Sequence, residues 1–325
     1  MASQEHLLSA AARLWSEIRG ELQEKDGEDE GSLADSPPVP PEELKKIAKW
    51  CQQTVTKFGA SAAVAEGPKD PALQPIAGEV VKAFTAAAGT LLAVRRGAGA
   101  CLRAELRDVG AGLAEATDQL GAAVGTSNMA VCAGKALDRV KHLDRISPHN
   151  KAAQRRKILT SLTQLRDANR ELAETLKSAA KKADGDDDDE DEEDEDDLDL
   201  GDFDADDLDP EERQVVEAVA AAASALEDLL KRASQACAPK ADDAAPSVAE
   251  LEVVAASSVA AVNAVDGLAA HAMGGLDVKA FAGSLKELRD AASGFDIAFV
   301  REAASNLCSA LDRVQAALDA VPAEA

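Results

Sequence analysis

The first side chains to test for chemistry are the four histidines, His6, His142, His149 and His271, since neutral imidazole is the commonest ligand of zinc. None pairs with a glutamate or a second histidine at zinc-site spacing, so all four read as surface or helix-end residues. The five cysteines, Cys51, Cys101, Cys132, Cys237 and Cys308, are odd in number and far apart. That pattern suits reduced, mostly buried thiols in a cytosolic or nuclear protein. Gly97-Ala98-Gly99 and Gly110-Ala111-Gly112 lack the third glycine and the preceding strand of a dinucleotide loop, which leaves helix breaks or tight helix packing. A phosphate-binding loop is absent at Gly134-Lys135, because Ala136 follows and Met129 stands where its first glycine belongs. Asp202, Asp204 and Asp206 alternate as in a calcium loop, but the sixth position of that frame is Asp207 and the twelfth is Arg213. The reading is a protein with no catalytic residues, no cofactor and no metal.

Charge and composition narrow the class further. The net charge of −25 is concentrated: residues 184–209 hold 19 acidic residues and no basic one, which leaves 41 acids against 35 bases elsewhere. A segment so charged cannot bury enough apolar area to offset chain entropy and is expected to be a disordered linker. The acidity also argues against direct nucleic-acid binding, which needs a basic face. Tyrosine is absent, aromatic residues are 2 % of the chain, and Ala, Leu and Val dominate its apolar content. Such small side chains favour closely packed helices over a sandwich or barrel. The N-terminus lacks the apolar core of a signal peptide, and the apolar stretches read as short of a membrane span, so the expectation is a soluble intracellular protein with no membrane partner.

The expected fold class is all-α: two antiparallel helical bundles of talin or vinculin type, joined by a disordered acidic linker. Helical periodicity and Pro41-Glu42-Glu43, a first-turn proline with acids at the positive end of the dipole, place elements near 3–25, 41–65, 71–94, 99–124, 126–145, 148–182, 210–238, 247–272, 276–293 and 296–320. Residues 26–41 are acidic and then proline-rich, a linker in which Ser36-Pro37 could accept a phosphate. Ser147-Pro148 reads as N-cap and first-turn proline of the long helix, and Asp209-Pro210-Glu211-Glu212 starts the next in the same manner. The N-terminal bundle is expected to span 1–183, the linker 184–209 and the C-terminal bundle 210–325.

Within the long helix Ile158, Leu162, Leu165, Leu172 and Leu176 form a coiled-coil-like heptad seam, with Asn169 at the intervening polar position. An apolar seam is usually an intramolecular core; the alternative is a seam that opens to accept a partner helix, and these six residues are then the partner-binding candidates. Residues 135–182 carry 13 basic against 5 acidic residues, directly before the acidic run. That run is therefore a solvated spacer, a mask folded back on the basic helix, or a ligand for basic proteins such as histones.

Three features resemble the cyclin-D-interacting protein family. One is GKALDRVKHLDRISPHNKAAQRRKI; the second is a long helix ending at an acidic stretch; the third is the re-entry from Gly201-Asp202-Phe203 through Asp209-Pro210-Glu211-Glu212 into an Ala/Leu/Val helix. The likeness covers most of the chain and is strongest over 125–235. It implies a two-bundle, non-catalytic protein of cytoplasm and nucleus that binds D-type cyclins and helix-loop-helix factors and restrains cell-cycle progression. It also implies a helix-loop-helix-like region, for which the helix ending at Lys182, the acidic stretch and the helix from Pro210 are the candidates. A structural adaptor and an acidic chaperone for basic proteins are the alternative functions.

Overall fold

Pro41 opens a helix at the position where its missing N–H costs nothing, and Glu42 and Glu43 follow at the positive end of the helix dipole. In the computed structural model that helix, α1, runs Pro41–Val64. The structure describes residues 41–65, 70–124, 126–183, 208–238, 246–273 and 276–321, preceded by Arg13, Trp15, Glu17, Ile18, Gly20 and Leu22. Ser36-Pro37, Gly67-Pro68, Gly274-Gly275, most of the 26–41 linker and 184–207 of the acidic run lie outside the described residues.

The remaining helices are α2 (Leu73–Arg95), α3 (Ala100–Ala123), α4 (Met129–Lys141), α5 (Asn150–Ala183), α6 (Pro210–Ala236), α7 (Val248–Met273), α8 (Val278–Ser293) and α9 (Arg301–Asp319). No strand occurs among the described residues, and the all-α bundle expectation holds. Boundaries follow local chemistry. Gly97 takes φ 85°, the left-handed conformation that glycine adopts freely, and turns the chain between α2 and α3. Asp209 and Glu212 form a reciprocal capping box at α6, and Asp277 Oδ1 accepts the amides of Lys279 and Ala280 to start α8. Residues 142–145, expected in one helix with α4, tighten into a 3₁₀ turn. The last helix begins at Arg301 and not near 296, because the chain makes a turn over 296–300.

The chain divides into two compact units, Met1–Gln154 and Arg155–Ala325. In the first, α1 packs on α2 and α4, and α3 on α2 and α4, which closes a four-helix ring. Its core contains Phe58, Phe84, Leu91, Leu106, Leu113 and Leu120, with Trp15 set edge-on to Phe84 (centroids 6.4 Å, planes at 84°). Small residues let the helices close up. A Cβ built on Gly59 would lie 2.7 Å from Ala133 Cβ on α4, and neither atom can rotate away. Gly59→Ala gains about 1 kcal/mol of helix propensity but must push α1 from α4. The expected result in urea unfolding is a net loss of about 1–2 kcal/mol; a stabilised variant would refute this contact.

In the second unit α6 packs on α7 and α9, and α8 on α7 and α9, again a ring. Residues 155–183 of α5 belong to this unit and not to the N-terminal bundle, so the division falls at 154/155 where the sequence suggested 183/184. The reason is physical contact: α5 is tied to α6 through Glu227 and to α7 through a hydrogen bond from Thr175 Oγ1 to Met273 Sδ at 3.2 Å. Among the described residues two helices, α2 and α7, are long and apolar enough to cross a membrane by length and composition, a correction to the expectation that no stretch reaches that length. In the structure α2 buries Val80, Phe84 and Leu91 in the first unit, and α7 buries Leu251, Val262 and Leu268 in the second.

Candidate functional site

The six seam residues lie on α5 within the second unit. Ile158, Leu162, Leu165 and Leu172 are buried, while Asn169 and Leu176 are half-buried. Four of the six are thus covered in the folded chain, and a partner helix would reach them only if that packing opened. Asn169 makes a polar tie: its Nδ2 donates to Glu227 Oε2 on α6 at 3.2 Å. Arg166 Nε and Lys231 Nζ both approach Glu227 Oε1, at 3.0 and 3.1 Å.

Burial pushes the Glu227 carboxyl up, and the hydrogen bonds from Arg166 and Lys231 outweigh it and hold the group below its usual range. A depressed carboxylate stabilises the fold at pH values above its unfolded pKa, and that contribution is lost as pH falls through the folded pKa. The second unit is therefore expected to lose stability below about pH 4.3 more steeply than a Glu227→Gln variant does. Parallel acid titrations of the two proteins would refute the linkage. Sequence reasoning passed over Glu227. Its one local sign is a carboxylate beside Leu226, Leu229 and Leu230, with Lys231 four residues on.

The other residues that could carry chemistry are committed to structure. Ser147 does not cap α5, contrary to the sequence reading: its amide and hydroxyl both donate to the Glu105 carboxylate on α3, each at 2.8 Å. α5 starts at Asn150, and His149 takes the capping role, its Nδ1 accepting the Ala152 amide at 3.1 Å. Asn150 is buried and clamps the α2–α3 turn, accepting from the Gly99 amide at 2.7 Å and donating to the Gly97 carbonyl at 2.9 Å. Burial pushes the Cys51 thiol up to about 12, and its Sγ donates to the Ala83 carbonyl, so it is an inert core thiol.

Among the described residues, shallow grooves of the helical surface include one in each unit. In the first unit a groove of about 290 Å³ between α3 and α4 is lined by Lys135, Asp138, Arg139 and His142 on one side and by Glu115 on the other. Arg139 pairs with Glu115 at 3.2 Å and Lys141 with Asp138 at 2.8 Å, so much of its charge is balanced internally. In the second unit a groove of about 310 Å³ runs between α5 and α7. No three His, Cys, Asp or Glu side chains converge to hold a metal ion among the described residues. Large apolar residues stand open on several helices, notably Trp50 on α1, Val131 on α4 and Val253 on α7. No protein-family model matches the chain, and no curated protein matches it.

Proposed function

We propose that this chain is a non-catalytic regulatory protein that works by binding other proteins through its helical surfaces, with a D-type cyclin or a helix-loop-helix factor as partner. One observation supports this best. Several polar groups capable of chemistry are spent on structural ties, at Ser147, Asn150 and Glu227, and on a helix cap at His149, while exposed helix faces offer Trp50, Val131 and Val253. A solvent-facing aromatic side chain such as Trp50 is the kind of anchor protein interfaces use, and the exposed valines add apolar contact area. The resemblance over 125–235 is what points to cyclins and to action in cytoplasm and nucleus; the mechanism is sequestration of the partner.

The test is the affinity of the purified chain for a D-type cyclin, with and without residues 184–209. Saturable binding supports the reading. Tighter binding after the deletion assigns the acidic run a masking role, and weaker binding makes it part of the contact. If neither form binds, the cyclin reading fails and a structural adaptor of talin or vinculin type takes its place, to be checked by actin co-sedimentation. The 19 acidic residues of 184–209 favour one other reading, a chaperone for basic proteins. It requires histone binding that disappears with the deletion and falls steeply with salt.

A further inference from the structure

We infer that the groove between α5 and α7 is a docking site for a basic amphipathic helix of a partner protein. Its floor is apolar, built from Ala168 on α5 and from Ala269 and Met273 on α7. Three carboxylates rim it: Asp167 and Glu171 from α5, and Asp266 from α7. Asp167 has a neighbouring cation in Arg170 at 3.5 Å, but neither Glu171 nor Asp266 forms an ion pair among the described residues. Partial burial pushes the Asp266 carboxyl up, and the charge of Glu171 adds to the shift. Two like charges thus share the groove without a counter-ion among the described residues, and a lysine or arginine laid between them would relieve both.

The groove also continues along the helix. From Ala270 at its edge, the exposed residues Asn263, Ala260, Ala256 and Val253 follow at steps of seven, three, four and three, one uncovered stripe of α7. At 1.5 Å per residue the stripe is roughly 25 Å long, several turns of a partner helix. Its alanines permit close backbone approach, and Val253 supplies apolar area at the far end. The 26 residues of α7 include Glu250, Glu252 and Asp266 and no Lys or Arg. Charge complementarity at the groove end, with the apolar stripe beyond it, therefore selects a partner helix with an Ala/Leu face flanked by Lys and Arg, and disfavours an acidic one. This inference rests on the protein-binding reading and names the chemistry of one partner surface.

The experiment is a fluorescence-anisotropy titration of the full chain with a labelled helical peptide carrying Lys and Arg beside an Ala/Leu face. The same peptide with glutamine in place of the basic residues is the control. The basic peptide is expected to bind about tenfold more tightly than the glutamine peptide. Combining Glu171→Gln with Asp266→Asn should weaken it about tenfold, and Ala260→Trp, which obstructs the stripe without altering charge, should weaken it by a similar factor. Both variants retain the acidic run, so unchanged affinity in either places the peptide on that run and overturns the groove. Equal binding of the two peptides also overturns it. Measuring D-type cyclin on the same proteins separates the two claims. Peptide binding without cyclin binding removes the cyclin reading alone, and cyclin binding without peptide binding removes the groove alone.

Discussion

Phe84→Ala lowers the stability of the first unit by about 3–5 kcal/mol, the cost of a large cavity in a close-packed core. Phe84 is fully buried on α2 and presents its ring to the edge of Trp15. The substitution removes both the buried ring and that aromatic contact. The Ala-rich neighbours Ala83, Ala87 and Ala88 have no side-chain length with which to refill the space. Trp15 and Trp50 both belong to the first unit, so tryptophan emission in a urea titration follows that unit alone. The midpoint should fall sharply, and Trp15 emission should shift as water reaches the ring. A loss below about 1 kcal/mol would be too small for this cavity and would mean that Phe84 is not the centre of this core.

Leu165→Ala is expected to cost the second unit about 2–5 kcal/mol. This substitution separates the two uses of the heptad seam. If Leu165 served chiefly as a partner contact, truncating it would weaken binding and leave the isolated chain about as stable as before. The structure buries it completely beside Leu162 and Leu172, so the isolated chain should lose stability directly. Far-UV circular dichroism reports helix in both units, whereas tryptophan emission reports only the first. The expected signature is a lowered dichroism transition with the tryptophan transition less affected. An unchanged dichroism curve would overturn the core assignment and return the seam to the list of binding surfaces. Asn169→Ala, by comparison, removes one hydrogen bond to Glu227 and should cost about 1 kcal/mol.

Nearly every helix was legible from local signals. Pro41-Glu42-Glu43 starts α1 and Asp209-Pro210-Glu211-Glu212 starts α6, because capping, proline geometry and dipole effects act within one turn and are written in consecutive residues. The Ile158–Leu172 periodicity likewise showed that one face of α5 must be buried. Periodicity is silent about which helix covers that face. The sequence reading joined α5 to the helices before it because no break intervenes, yet residues 155–183 fold with the helices that follow the acidic run.

The same distinction explains the polar groups. A serine before a proline resembles an N-cap from its neighbours alone, but Glu105, 42 residues earlier, captures its hydroxyl, and His149 caps instead. Asn150 joins the turn at Gly97 and Gly99 across about 50 residues, and Glu227 gathers Arg166, Asn169 and Lys231 from two helices. Helix identity and solvent-facing charge depend on contacts a few residues apart, which any reader of the chain can see. The covering of the seam, the capture of Ser147 and the acid-rimmed groove on α7 depend on side chains that meet only after the helices pack, when burial makes each unpaired polar group costly and each close pairing specific.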